Sequence, residues 1–107
     1  MTYTLFEDIL VPWYEDSRFE WDEDDSESCR ERTGLDFHAA KTIFSVDYLE
    51  REAETETGIP VFTATGPLRD TLLVTVIYLE VEARKRILDA FKADHEDILD
   101  YMLTYGI

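Results

Sequence analysis

The sequence predicts an α+β domain: a small antiparallel sheet of three to four strands, two N-terminal helices and a C-terminal helix. Three observations carry this. Leu72-Leu73-Val74-Thr75-Val76-Ile77-Tyr78-Leu79 is apolar at odd and even positions alike, as a central strand covered on both faces must be. Apolar residues at helical spacing stand towards both ends of the chain. The 107 residues, 45% of them hydrophobic, suffice for one core and not for two.

Taken in order, Thr4 and Glu7 have the spacing of a capping box, and Leu5, Phe6, Ile9 and Leu10 follow as one stripe. A short helix over Leu5–Leu10 is expected, ended by Pro12, with Trp13 and Tyr14 anchoring this arm. Phe19-Glu20-Trp21-Asp22 alternates like a brief strand. Residues 23–33 suit a helix but offer only Cys29 to a core, and Gly34 is placed to stop it. Asp36 caps a second helix whose Phe37, Ala40, Ile43 and Phe44 form a buried stripe. Residues 47–58 read as an edge strand or, more safely, a loop. Val61–Thr65, Thr71–Glu82 and Arg84–Lys92 read as strands, with a turn at Gly66-Pro67. Asp94 and Asp97 open a last helix that turns Ile98, Leu99, Met102 and Leu103 inward.

Charge excludes more than any motif does. Ten basic against 25 acidic residues leave a net charge of −15. Direct binding of nucleic acid or of an anionic membrane is disfavoured on that ground, because a phosphate surface is met by Lys and Arg. The basic protein that itself handles DNA or RNA is the partner such a surface fits. No apolar stretch approaches the about 18 residues of a membrane span, and the opening residues lack a basic signal-peptide start. A cytoplasmic protein of a bacterial or archaeal cell, or of a phage or other mobile element within one, is expected. Cys29 stands alone, so neither an internal disulfide nor a thiolate metal cluster is expected. No cofactor motif occurs, and no cofactor is expected.

The densest feature is Glu20, Asp22, Glu23, Asp24, Asp25, Glu27 and Glu31. Its start imitates a calcium loop, but Glu27 replaces the required Gly and Thr33 the bidentate Glu. No metal site is assigned. A row of carboxylates in this region could occupy a cationic groove in place of phosphates. Glu50, Glu52, Glu54 and Glu56 would extend that surface if strand-like, spaced about 7 Å apart on one face. Tyr14, Tyr48, Tyr105 and Trp13 are candidate anchors for a partner if exposed.

The pattern from Phe19-Glu20-Trp21-Asp22 through the helix ending at Gly34, Leu35-Asp36-Phe37, Ala40 and Ile43-Phe44 resembles the BrnT family. These are RelE-like ribonuclease toxins of bacterial toxin–antitoxin pairs. Leu72–Tyr78 and Arg84-Lys85-Arg86-Ile87 with Ala90-Phe91-Lys92-Ala93 resemble its later strands. The likeness covers about residues 19–100. It implies a RelE/BrnT-like domain over residues 19–107, with residues 1–18 as an added arm. It also implies a second function, a divergent endoribonuclease held by an antitoxin, with Arg32, Arg84, Arg86, Lys92 and His95 as candidate phosphate-binding or proton-transferring groups. Departures fall on the positions that carry the family's chemistry: Asp25 stands where the family has Lys, Cys29 where it has Asn and Thr33 where it has His, Asp89-Ala90-Phe91-Lys92-Ala93 replaces its Ser-Ala-Arg-x-Ala, and Asp94-His95-Glu96-Asp97 its Arg-rich helix start. The preferred reading is therefore an acidic inhibitor or nucleic-acid mimic of the anti-CRISPR, anti-restriction or immunity type, without enzymatic activity. A salt-loving source would explain part of the acidity as well. Whether the cations converge on one concave patch separates the inhibitor from the nuclease.

Overall fold

The computed structural model describes residues 2–6, 9–53, 55–69 and 72–106, with side chains from residue 12 onward. Strands β1 (Thr2–Phe6), β2 (Ile9–Glu15) and β3 (Phe19–Asp22) precede helix α1 (Glu23–Thr33), a short α2 (Phe37–Ala40) and a 3-10 turn, Lys41–Ser45. Strands β4 (Leu49–Ala53), β5 (Val61–Arg69), β6 (Leu72–Val81) and β7 (Arg84–Lys92) follow, then helix α3 (His95–Tyr105). They form one seven-stranded sheet in the order β1-β2-β3-β7-β6-β5-β4. Every neighbouring pair is antiparallel except β3 and β7, which run parallel.

The class is α+β, but the expected antiparallel sheet of three to four strands is wrong: among the described residues the sheet is mixed and has seven. The arm accounts for most of the difference. Residues read as a helix over Leu5–Leu10 form a hairpin instead, with Leu5 opposite Leu10. Apolar runs this short fit either period, and strand pairing with β3 decides it. Pro12 is tolerated because β3 pairs only from Trp13 onward, so the ladder is one-sided there. Likewise β5 runs straight through Gly66-Pro67, where a turn was expected, and β4 has ended its pairing at Thr65. Gly66 serves close approach: a Cβ there would lie 3.1 Å from Tyr48 Cβ and 3.3 Å from Ile43 Cβ.

One sheet face carries the core. Trp21, Phe37, Ala40, Ile43, Ala64, Val76 and Tyr78 are fully buried there. Phe37, Ala40 and Ile43 recur every third residue, which suits the tightening of α2 into a 3-10 turn rather than one long helix. Helix α1 is held by small groups: Cys29 Sγ donates to the Ala90 carbonyl at 3.1 Å, and Ser26 Oγ accepts from Phe37 N at 2.9 Å. Asp22, Asp36 and Asp94 cap the three helices, and Gly34 and Gly106 close α1 and α3 in the left-handed conformation. Helix α3 is turned about its axis from the expected orientation: of the four residues expected inward, Ile98 is half-buried. Tyr101 is buried, whereas Leu99, Met102 and Leu103 face water.

Asp16 ties the β2–β3 loop. Burial pushes its carboxyl up, but the Tyr14 hydroxyl, the Arg18 and Phe19 amides and Lys41 outweigh this and hold it at about 2. Its contribution to stability is complete above the ordinary value of 3.8 and is lost as pH falls towards about 2. Stability measured by denaturant unfolding against pH should fall between about pH 3.8 and 2, and Asp16→Asn should be less stable above this range and lack that part of the fall. Gly66→Ala should lower the melting temperature by several degrees, the cost of about 1–3 kcal/mol for overpacking a core, checked by calorimetry.

Candidate functional site

On the sheet face opposite the core, α3 packs against β5 and the middle of β6, where Thr65 and Thr75 are buried, and among the described residues the part formed by β2, β3 and the start of β7 is left without a helix. Strand alternation and register place Glu15, Glu20, Arg86 and Leu79 in one row across β2, β3, β7 and β6. Glu20 is only 4% exposed although ionisable. Arg86 explains this: its Nε donates to Glu20 Oε2 at 2.7 Å, and a terminal nitrogen completes the ion pair 2.6 Å from the same oxygen. Among the described residues Glu20 Oε1 accepts no hydrogen bond. Glu15 and Glu20 lie directly opposite each other, a pairing of like charges that their arginines offset. Arg84 reaches Glu15 at 3.4 Å and donates to the Asp16 carbonyl at 2.6 Å.

Trp13 lies beneath the Arg86 guanidinium, 5.3 Å from its ring centre. Trp13, Glu15, Glu20, Val81, Glu82, Arg84 and Arg86 line a cavity of about 560 Å³ on this face. Glu82 enters it from a two-residue turn and has φ 56°, a left-handed strain for a residue other than glycine. An aromatic platform, two guanidiniums and a buried carboxylate thus meet in one place. They suit an unpaired base, a phosphate and a transferable proton respectively.

Arg18, Lys41 and Lys85 stand around the same strand ends. Lys85 N bonds the Arg18 carbonyl at 2.8 Å. Lys41 Nζ bonds the Tyr14 hydroxyl at 3.0 Å and lies over the Tyr14, Phe19 and Trp21 rings. Arg18, Lys41, Arg84, Lys85 and Arg86 are half of the ten basic residues. Their neighbours Glu15, Asp16, Glu20, Glu80 and Glu82 balance them, so this end of the molecule is near neutral on a chain of net charge −15.

The five cations singled out in the sequence do not converge. Arg84 and Arg86 share the cavity, but Arg32 pairs with Asp89 at 3.2 Å. Lys92 is carried to the other face by a bulge at Leu88: Arg86 stands opposite Leu79, whereas Lys92 stands opposite the core residue Val74. His95 is exposed in the first turn of α3. Arg18 and Lys41 were missed, and Trp13, expected as a partner anchor, lines the cavity instead. Only the pairing of the arm onto β3 could have placed Trp13.

The acidic residues divide by task. Glu20 leaves the acidic cluster for the cavity, Asp22 caps α1, and Glu23 accepts from the Trp21 indole and meets His38 at 3.2 Å. Glu27 pairs with Arg30. Asp24, Asp25 and Glu31 remain exposed, and burial with the Asp22, Asp24 and Asp89 charges pushes the Asp25 carboxyl up. The calcium-loop spacing is taken up by the α1 helix. Glu50 and Glu52 lie on one side of β4, where Glu50 accepts from the buried Tyr78 hydroxyl. Glu56 follows in a turn, and Glu54 lies outside the described residues. The four therefore form no continuous row within the described structure. Among the described residues no helix is long and apolar enough to cross a membrane.

No protein-family model matches the sequence, and no curated protein matches it. Among solved structures, the fold is similar to the Brucella abortus ribonuclease toxin BrnT, known from a crystal structure at 1.1 Å resolution. The match covers 70% of this chain and 94% of that one, at 19% identity and a TM-score of 0.52. At that identity the likeness establishes the scaffold: this chain has a BrnT-like fold.

Proposed function

We propose that this protein is a ribonuclease acting on single-stranded RNA, with the open-face cavity as its reacting centre. The observation that carries the reading is the joint presence of Glu20, Arg86, Arg84 and Trp13 in that cavity. Likeness in fold to a ribonuclease toxin supports it. In this reading a base stacks on Trp13 and the adjoining phosphate displaces Glu15 from Arg84. Glu20 Oε1 takes the proton of the ribose 2′-hydroxyl, whose oxygen attacks phosphorus. The 5′-oxygen of the next nucleotide leaves with a proton from water, and a 2′,3′-cyclic phosphate remains. Arg84 and Arg86 stabilise the charge that builds on the phosphoryl oxygens. The net charge of −15 opposes a long polyanion, so approach is confined to the near-neutral end.

Cleavage of a fluorescent RNA oligonucleotide tests this. Glu20→Gln should lower kcat by about 100-fold or more, as loss of a positioned base does. Arg84→Ala should cost a similar factor, as for a lost charge-stabilising donor. Arg32→Ala and Lys92→Ala should leave the rate within twofold. Equal rates in Glu20→Gln and the parent protein would end the proposal.

The net charge favours one other reading, an acidic protein that occupies a cationic groove. Its contact carboxylates would be Asp24, Asp25 and Glu31, because Asp22 and Glu23 serve the fold. A pull-down from cells, repeated with those three changed to Lys, distinguishes it: a basic nucleic-acid-binding protein should be captured by the parent and lost by the variant.

A further inference from the structure

Helix α3 is mounted with Asp97 and Asp100, beside the buried Tyr101 and half-buried Ile98, towards the protein. Asp97 accepts from Thr75 Oγ1 at 3.0 Å and pairs with Arg51, which also reaches Asp100 at 2.8 Å. The Tyr101 hydroxyl donates to the Asp47 carbonyl at 3.0 Å, and that of Tyr105 donates to the Tyr48 carbonyl. The opposite side carries Leu99, Met102 and Leu103, spaced i, i+3 and i+4, exposed by 45%, 37% and 81%. A surface helix of a self-sufficient domain has the reverse arrangement. The carboxylates of Asp97 and Asp100 bind Arg51 where apolar side chains would ordinarily pack, so rotating α3 to hide its leucines would forfeit both ion pairs and the Asp97–Thr75 bond.

We propose that the Leu99–Met102–Leu103 stripe is a docking surface for a basic amphipathic helix of a partner protein. The spacing is that of a helix-in-groove contact. Charge selects the partner. Residues 93–107 contain no Lys or Arg, and Asp94, Glu96 and Asp100 adjoin the stripe. A second copy would bring another −15 charges against these, whereas a basic segment meets opposite charge around its apolar contact. The surface is separate from the open-face cavity, and the inference is independent of whether RNA is cleaved.

The test uses the full chain and a synthetic 16-residue helical peptide with leucine at i, i+3, i+4 and i+7 and arginine elsewhere. Leu103→Asp adds a negative charge, so the two kinds of attraction respond with opposite sign. Docking on the stripe requires at least tenfold weaker binding in Leu103→Asp and in Leu99→Ser, measured by fluorescence anisotropy at about 0.15 M salt. Binding that is unchanged or tighter in Leu103→Asp overturns the proposal, because attraction would then be purely electrostatic. Sedimentation of the chain alone supplies the second arm. A monomer agrees with the proposal, and a dimer dissolved by Leu103→Asp overturns it in favour of a second copy. Leu88→Ser, on the β7 bulge, should leave both measurements unchanged.

Discussion

The parallel pairing of β3 with β7 is the junction on which the molecule depends. It joins the N-terminal hairpin to the C-terminal meander, and the chain between them supplies α1, α2 and the 3-10 turn, which cover the core face, before strands β4 to β6. The register that sets Phe19 opposite Lys85 also sets Glu20 opposite Arg86. A buried carboxylate is tolerable only with such a partner, and removing one member of a buried pair typically costs about 3–5 kcal/mol. The half-exposed Arg86 side chain reduces that figure, since water can still reach the charge left behind. Slippage by one residue would turn Phe19 and Trp21 out of the core and Glu20 into it. Fold and site are therefore fixed by the same few contacts.

Much of the architecture was legible because it rests on local rules. Asp36 and Asp94 cap where capping residues should, Gly34 takes the left-handed position, and Phe37, Ala40, Ile43 and Phe44 are all buried. What escaped reading depends on distant partners. The arm is a hairpin because β3 presents an edge to it. Glu20 belongs to the cavity and not to the acidic surface, because Arg86 lies 66 residues away in sequence and beside it in space. One unpaired residue, Leu88, breaks the face shared by Arg86 and Lys92, and nothing in Arg84–Lys92 announces it. Helix α3 misled for a different reason: its apolar period is real, but Arg51 draws Asp97 and Asp100 inward.

The distribution of charge gives the molecule two ends of different character. Around β3 and the start of β7, Glu15, Asp16, Glu20 and Glu80 each have a cation within 3.4 Å, so desolvating these groups is less costly than desolvating unpaired carboxylates. The exposed side of α1 has unmatched carboxylates, and the Asp25 carboxyl is pushed up there by burial first and by repulsion from the neighbouring Asp22, Asp24 and Asp89 charges second. Such repulsion favours opposite charge at the α1 end, while the balanced end can accept a ligand of either sign.

The sheet's two margins differ in their own protection. At one, β4 presents Glu50, Arg51 and Glu52, charges that discourage a further strand from adding. At the other, β1 has the sequence Thr2-Tyr3-Thr4-Leu5-Phe6, without charge, and among the described residues pairs on one side only. Such a margin is a template for strand addition between molecules. What holds copies apart is then long-range: the repulsion of −15 against −15, which vanishes as the solution approaches the isoelectric point near 4.2. The acidity of this chain is therefore also its colloidal protection, and the hairpin that completes the cavity is the reason it needs one.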